Sequence, residues 1–128
     1  MNDDLIKAIK NDRFAKYIGI ELVRVEPGFA VTRMEITEDH LNGVDIVQGG
    51  ATYTLADYAF AAASNAKGRI TVGVQSSITY FKPPKGKFLT AQAKEVSATR
   101  SLCSYSIDVF DETDTLIARM SACGYIKA

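Results

Sequence analysis

Tryptophan is absent from the 128 residues, histidine occurs once, as His40, and cysteine twice, as Cys103 and Cys123. One histidine and two distant thiols supply neither the spaced ligands of a metal site nor an evident Cys–His nucleophile pair, so no metal and no cofactor are expected. Both cysteines fall in strand-like runs. A reduced, packed thiol is the ordinary state of such a residue, with a disulfide or a nucleophile as the alternatives.

An excess of charge of either sign is missing too. Fifteen basic and fifteen acidic residues cancel, which removes the electrostatic footprint of a nucleic-acid or anionic-membrane partner; an anionic ligand must be held by a local cluster of cations. No apolar run approaches the ~20 residues that span a bilayer. The start, MNDDLIKAIK, carries acids where a secretory signal needs a basic segment, and a cytoplasmic protein is expected.

What is present is ordinary globular material, 47% apolar and 23% charged, without repeat, linker or low-complexity stretch, and of a length that suits one domain over residues 1–128. Asn2 or Asp3 is placed to cap a short helix with Leu5, Ile6, Ile9 and Phe14 on one stripe. IELVRVE and FAVTRMEI then alternate around Pro27-Gly28 and read as a β-hairpin. After a turn-rich loop over residues 37–48, Gly49 to Asn65 reads as a helix. Four segments rich in Val, Ile, Thr, Tyr and Phe follow, over residues 69–82, 87–97, 101–111 and 115–127.

The long helix carries Leu55, Tyr58, Phe60 and a run of alanines over most of its faces, which predicts a buried element rather than a surface one. Six antiparallel strands are available to wrap it, and its alanines let a sheet curl close. The last strand agrees, because Ala118, Met120, Ala122 and Gly124 share one face and make a small-residue track for a helix.

One carboxylate, Asp57, interrupts that apolar helix. Buried charge is costly, so Asp57 is either satisfied by Thr54, Tyr53 or the backbone, or sits on a wet side, or serves as a general base or nucleophile. The helix start, Gln48-Gly49-Gly50, offers a complementary group. First-turn N–H groups lack intrahelical partners, lie at the positive end of the dipole, and can hold a developing oxyanion. Asp57 stands eight positions beyond Gly49, roughly 12 Å along the axis at ~1.5 Å per residue. One helix therefore cannot bring both groups to one carbonyl. If they cooperate, a second chain supplies one of them, and a twofold dimer with antiparallel helices makes two equal sites.

His40-Leu41-Asn42-Gly43, Gln48-Gly49-Gly50 and Leu55-Ala56-Asp57-Tyr58-Ala59-Phe60-Ala61, with the passage Ile78–Val96 and the final hairpin, resemble the hotdog-fold thioesterases of the PaaI-like branch over about residues 17–126. The resemblance implies an α+β hotdog fold, a curled six-stranded antiparallel sheet around a long central helix with a short N-terminal helix. It implies an acyl-CoA substrate and a homodimer or a dimer of dimers. It gives Asp57 the part of general base or nucleophile, contributed by the opposite subunit. Gly49 becomes the N–H donor to the thioester carbonyl, and Asn42 helps position water or the acid.

Two departures stand out. The family's histidine is Gln48 here, able to donate an N–H or hold a water but not to carry a proton, and a family glycine is Asp45. A strand serine or threonine used by some members falls near Gly73, with Ser76 and Ser77 close by. Gly50, Tyr53, Ser76 and Ser77 are expected at the substrate, with Tyr58, Tyr80 and Phe81 as further pocket or core aromatics. Lys82, Lys85 and Lys87, with Arg100 in the next turn, form the basic cluster expected at the coenzyme A phosphates. A non-catalytic acyl-CoA binder is the rival reading, motivated by Gln48 and Gly73. A dehydratase is weaker, since the lone histidine lies outside the helix.

Overall fold

The computed structural model describes residues 3–128, so the expected cap at Asn2 lies outside the described residues. Helices α1 (Asp3–Lys10) and α2 (Arg13–Tyr17) come first. Asp12 caps α2 by accepting the Ala15 N–H at 3.0 Å. That cap breaks the expected stripe: Ile6 is buried and Ile9 packs on the core, but Phe14 belongs to a new helix and is 60% exposed.

Strands β1 (Ile20–Glu26) and β2 (Phe29–Glu35) form the hairpin, and its turn uses Gly28 at φ 78°, where a side chain would be strained. Helix α3 (Gly49–Asn65) follows, then β3 (Thr71–Tyr80), β4 (Phe88–Ala98), β5 (Leu102–Asp111) and β6 (Leu116–Ile126). All pairings are antiparallel and the order is β1-β2-β4-β5-β6-β3, so α3 carries the chain from β2, second in the sheet, to the far edge at β3.

Helix α3 touches all six strands. Close approach depends on small residues: Ala56, Ala59, Ala62 and Ala63 are fully buried, and Ala118, Met120 and Ala122 face them as the alternation predicts. Gly124 completes that track beneath Phe60; a Cβ there would meet Thr71 Cγ2 at 2.8 Å and Phe60 Cζ at 3.1 Å. Phe60 in turn packs edge-on to Tyr105 at 5.4 Å.

The sheet does not close on itself, since β1 and β3 remain edges. One face of α3 is accordingly left uncovered in a single chain: Gly50 and Asp57 are exposed, and Ala51, Tyr53, Thr54 and Ala61 only half-buried. The expectation of a helix buried all round is corrected at this face. Edge strand β3 is also bare, with Val72, Val74 and Tyr80, and Ile70 and Phe81 flanking them, each at least 41% exposed. A long apolar edge with unpaired backbone groups is a template for another strand.

Candidate active site

The loop before α3 is built by its own side chains. His40 is buried; its Nδ1 accepts the Thr37 N–H at 3.0 Å, so the proton sits on Nε2, which donates to Ile18 O at 2.6 Å. Both ring nitrogens are occupied, and His40 is a structural post. Asn42 Oδ1 accepts the N–H groups of Val44 and Ile46 at 2.9 and 3.1 Å, shaping the tight turn in which Asp45 takes φ 61°. Aspartate is one of the few residues that tolerate a left-handed backbone. In this structure the Asn42 oxygen is spent on the loop.

Gln48 is the N-cap of α3. Its backbone N–H donates to His40 O at 2.8 Å, and its Oε1 accepts the Gly50 N–H at 2.5 Å. The side chain folds so closely over the first turn that a Cβ on Gly50 would lie 2.6 Å from Oε1. The Gly49 N–H has no acceptor among the described residues and points out of the helix start. Tyr80 fixes this glycine from the other side, its hydroxyl donating to Gly49 O at 2.8 Å. The sequence pattern puts Tyr80 among pocket or core aromatics; a bond spanning 31 positions leaves no local signal.

Asp57 opens into a groove of about 410 Å³ shared with Tyr53, Phe60, Gly73 and Ser76. Though exposed on one side in a single chain, its carboxyl is pushed up from the ordinary value, first by the surrounding protein and then by the negative charge of Asp12. Tyr53 Oη and Ser76 Oγ share a short hydrogen bond that ties the second turn of α3 to the middle of β3. Ser76 pairs with buried Ala122 and faces the helix, whereas Ser77 pairs with exposed Ser121 and faces away. Ser77 thus leaves the expected set, because successive strand residues point to opposite faces. The β-bulge between Gly73 and Gln75 gives the groove its floor.

The expected basic cluster does not form within one chain. Lys82 lines a groove of about 370 Å³ with Gly49, Tyr80 and Phe81. Arg100 sits in the β4–β5 turn at the other end of the strands, where its carbonyl accepts from Arg69 Nη1 at 3.1 Å. The ten residues of β5 separate these ends, roughly 30 Å at ~3.3 Å per residue. Among the described residues no three His, Cys, Asp or Glu side chains gather as a metal site. Cys103 and Cys123 are free thiols.

A curled antiparallel sheet around one helix, with a glycine N–H bare at the helix start and an acid farther along, is a hotdog architecture. A family model described as the thioesterase superfamily matches residues 45–118. The acyl-coenzyme A thioesterase PaaI of Escherichia coli is 34% identical over 110 residues, covering 85% of this chain and 79% of that protein. A putative esterase of Archaeoglobus fulgidus is likewise 34% identical over 110 residues, 85% and 71% of the two chains. The solved structure of the E. coli PaaI protein from the phenylacetic acid degradation operon superposes with a TM-score of 0.90 at 29% identity, covering 95% of this chain and 89% of that one. The chain belongs to the thioesterase superfamily, in its PaaI-like hotdog branch.

Proposed function

We propose that this chain is a single-domain acyl-CoA thioesterase of the cytoplasm, acting as a homodimer whose sites each combine Gly49 of one subunit with Asp57 of the other. The observation that carries the reading is the free Gly49 N–H at the positive end of α3, with the only carboxylate of that helix eight positions away on its uncovered face. Pairing of two exposed β3 edges would bring two α3 helices together antiparallel, with Tyr53 and Ser76 near the twofold axis. Each Asp57 would then face the other subunit's Gly49.

In this reading the thioester carbonyl oxygen accepts from the Gly49 N–H, which stabilises the negative charge that develops on it. Asp57 takes a proton from water as the water oxygen bonds to the carbonyl carbon. The C–S bond then breaks, and the proton passes to the departing thiolate, giving a free acid and free coenzyme A. A carboxyl raised above its ordinary value is a stronger base once ionised, which suits this task. Gln48 keeps the helix start in shape through its cap on the Gly50 N–H. Asn42 and the Ser76–Tyr53 pair hold the loop and groove around it.

The second reading, an acyl-CoA binder without turnover, is favoured by one feature: Gln48 occupies the Gly50 N–H and supplies no proton carrier. Thiol release from a panel of acyl-CoAs separates the two. The thioesterase reading expects turnover that Asp57→Ala lowers by orders of magnitude while the fold persists. Binding without release of coenzyme A, or equal turnover in both proteins, would reject it.

A further inference from the structure

Two grooves flank the first turn of α3, and they share no residue. One lies toward β3, along Gly49, Tyr80, Phe81 and Lys82, with Lys82 its charged group. The other, also about 370 Å³, lies between α2 and α3, walled by Phe14, Leu41, Gln48, Gly50, Ala51 and Thr54. Its only charged side chain is Asp39, and it contains no lysine or arginine. We propose that the groove between α2 and α3 seats the acyl group of the substrate and that Phe14 sets which acyl groups it accepts; this rests on the reading of Gly49 as the carbonyl site.

The two substituents of a carbonyl carbon leave it in divergent directions. A thioester held at Gly49 therefore sends its acyl chain to one side of the helix start and its coenzyme A arm to the other. The arm ends in phosphates and suits the side with Lys82; a carboxylate such as Asp39 disfavours it. The remaining side is apolar, continuous with Gln48 and Gly50, and of a size that holds a small or medium acyl or aryl group.

Phe14 is a rigid wall there. Asp12 caps its helix and His40 holds Ile18 O, so α2 is fastened before and after Phe14, while Tyr58 Oη, donating to Ile9 O at 2.8 Å, fastens the end of α1 that leads into it. A phenylalanine left 60% exposed on such a fixed element gains cover when an apolar ligand lies against it. Asp39 in the same wall turns away acyl groups that end in a carboxylate.

The test compares wild type, Phe14→Ala and Phe14→Trp on saturated acyl-CoAs from two to sixteen carbons, phenylacetyl-CoA and succinyl-CoA. Phe14→Ala should move the kcat/KM optimum to larger acyl groups and lower it roughly tenfold for the wild-type optimum; Phe14→Trp should move it to smaller ones. Succinyl-CoA should be the poorest of its size, and free coenzyme A should inhibit all three proteins equally. A uniform change across the series, or none, would overturn the assignment. The same panel titrated calorimetrically against Asp57→Ala, with and without Phe14→Ala, reads acyl preference without turnover. A preference that ignores Phe14 there refutes the acyl seat, whereas absent turnover in wild type refutes only the hydrolytic reading.

Discussion

Mixing two inactive variants tests the shared site directly. Gly49→Pro deletes the N–H proposed to hold the carbonyl oxygen while leaving the helix its start, because proline suits the first helical position. Gln48, at φ −66° and ψ 137°, already has the extended backbone that a residue before proline needs. The ring would press on Tyr80, whose Oη stands 3.1 Å from a Cβ at this position and lies at the movable end of its side chain. Loss of one oxyanion donor costs about 10²–10³ in kcat, or ~3–4 kcal/mol. Asp57→Ala removes the base from the opposite end of the same site.

Separately, each variant should therefore retain about 1% or less of wild-type turnover. In an equal mixture allowed to exchange subunits, half the dimers are mixed, and each mixed dimer contains one site with both Gly49 and Asp57 intact. Activity should recover to about one quarter of wild type per chain. Co-expression with two affinity tags, followed by thiol-release assay of the doubly tagged dimer, measures it. Each such dimer should show about half of wild-type activity. If doubly tagged dimers are no more active than the parents, the two groups do not work across subunits. The eight-residue separation along α3 would then have been misread.

Two further outcomes follow from the electrostatics. Asp12→Asn keeps the cap of α2 but removes the charge that helps hold the Asp57 carboxyl above its ordinary value. A base acts only when deprotonated, so the acidic limb of kcat/KM against pH should move to lower pH; an unmoved limb refutes the coupling. Asp111, 3% exposed, accepts Thr113 Oγ1 at 2.6 Å and the N–H groups of Lys85, Thr113 and Thr115 at 2.9, 2.9 and 3.2 Å. Burial pushes its carboxyl up, but these bonds outweigh burial and leave it below the ordinary range. Its folded pKa is the lower one, so its stabilisation is full above the unfolded value and lost as pH falls through the folded value. Asp111→Ala should cost about 1–3 kcal/mol at neutral pH by orphaning those donors, and the deficit in denaturant unfolding should shrink on acidification. A deficit independent of pH would refute the charge-based account.

Much of this architecture is legible along the chain. The hairpin around Pro27-Gly28, the span of α3 and the four later strands follow from local periodicity and turn chemistry, which act over a few residues. The oddity of Asp57 and the glycines at the start of α3 are legible for the same reason, since each violates its immediate pattern. Side-chain assignments that need a direction or a distant partner are not. Ser76 and Ser77 look alike in the sequence, and only the register of β3 on β6 sends one toward Tyr53 and the other away. Lys82 and Arg100 stand eighteen positions apart in number, yet antiparallel strands carry them to opposite ends of the sheet. Phe14 fits the stripe of α1 until the Asp12 cap starts a new helix and turns it outward.

The sequence alone determines the element order, the apolar helix, the isolated acid and the family, because these depend on local spacing and on residues kept in register. Tertiary structure decides what those residues touch. It makes Gln48 the cap of α3 through its side-chain oxygen and spends the Asn42 oxygen on its loop. It pins Gly49 beneath Tyr80, and it leaves the Asp57 face and the β3 edge open because six strands do not close around α3. The Gln48 and Asn42 bonds close within four positions and depend on the exact backbone path of the loop, whereas the Tyr80 bond and the open edge arise from contacts between residues far apart in the chain, which no local pattern encodes.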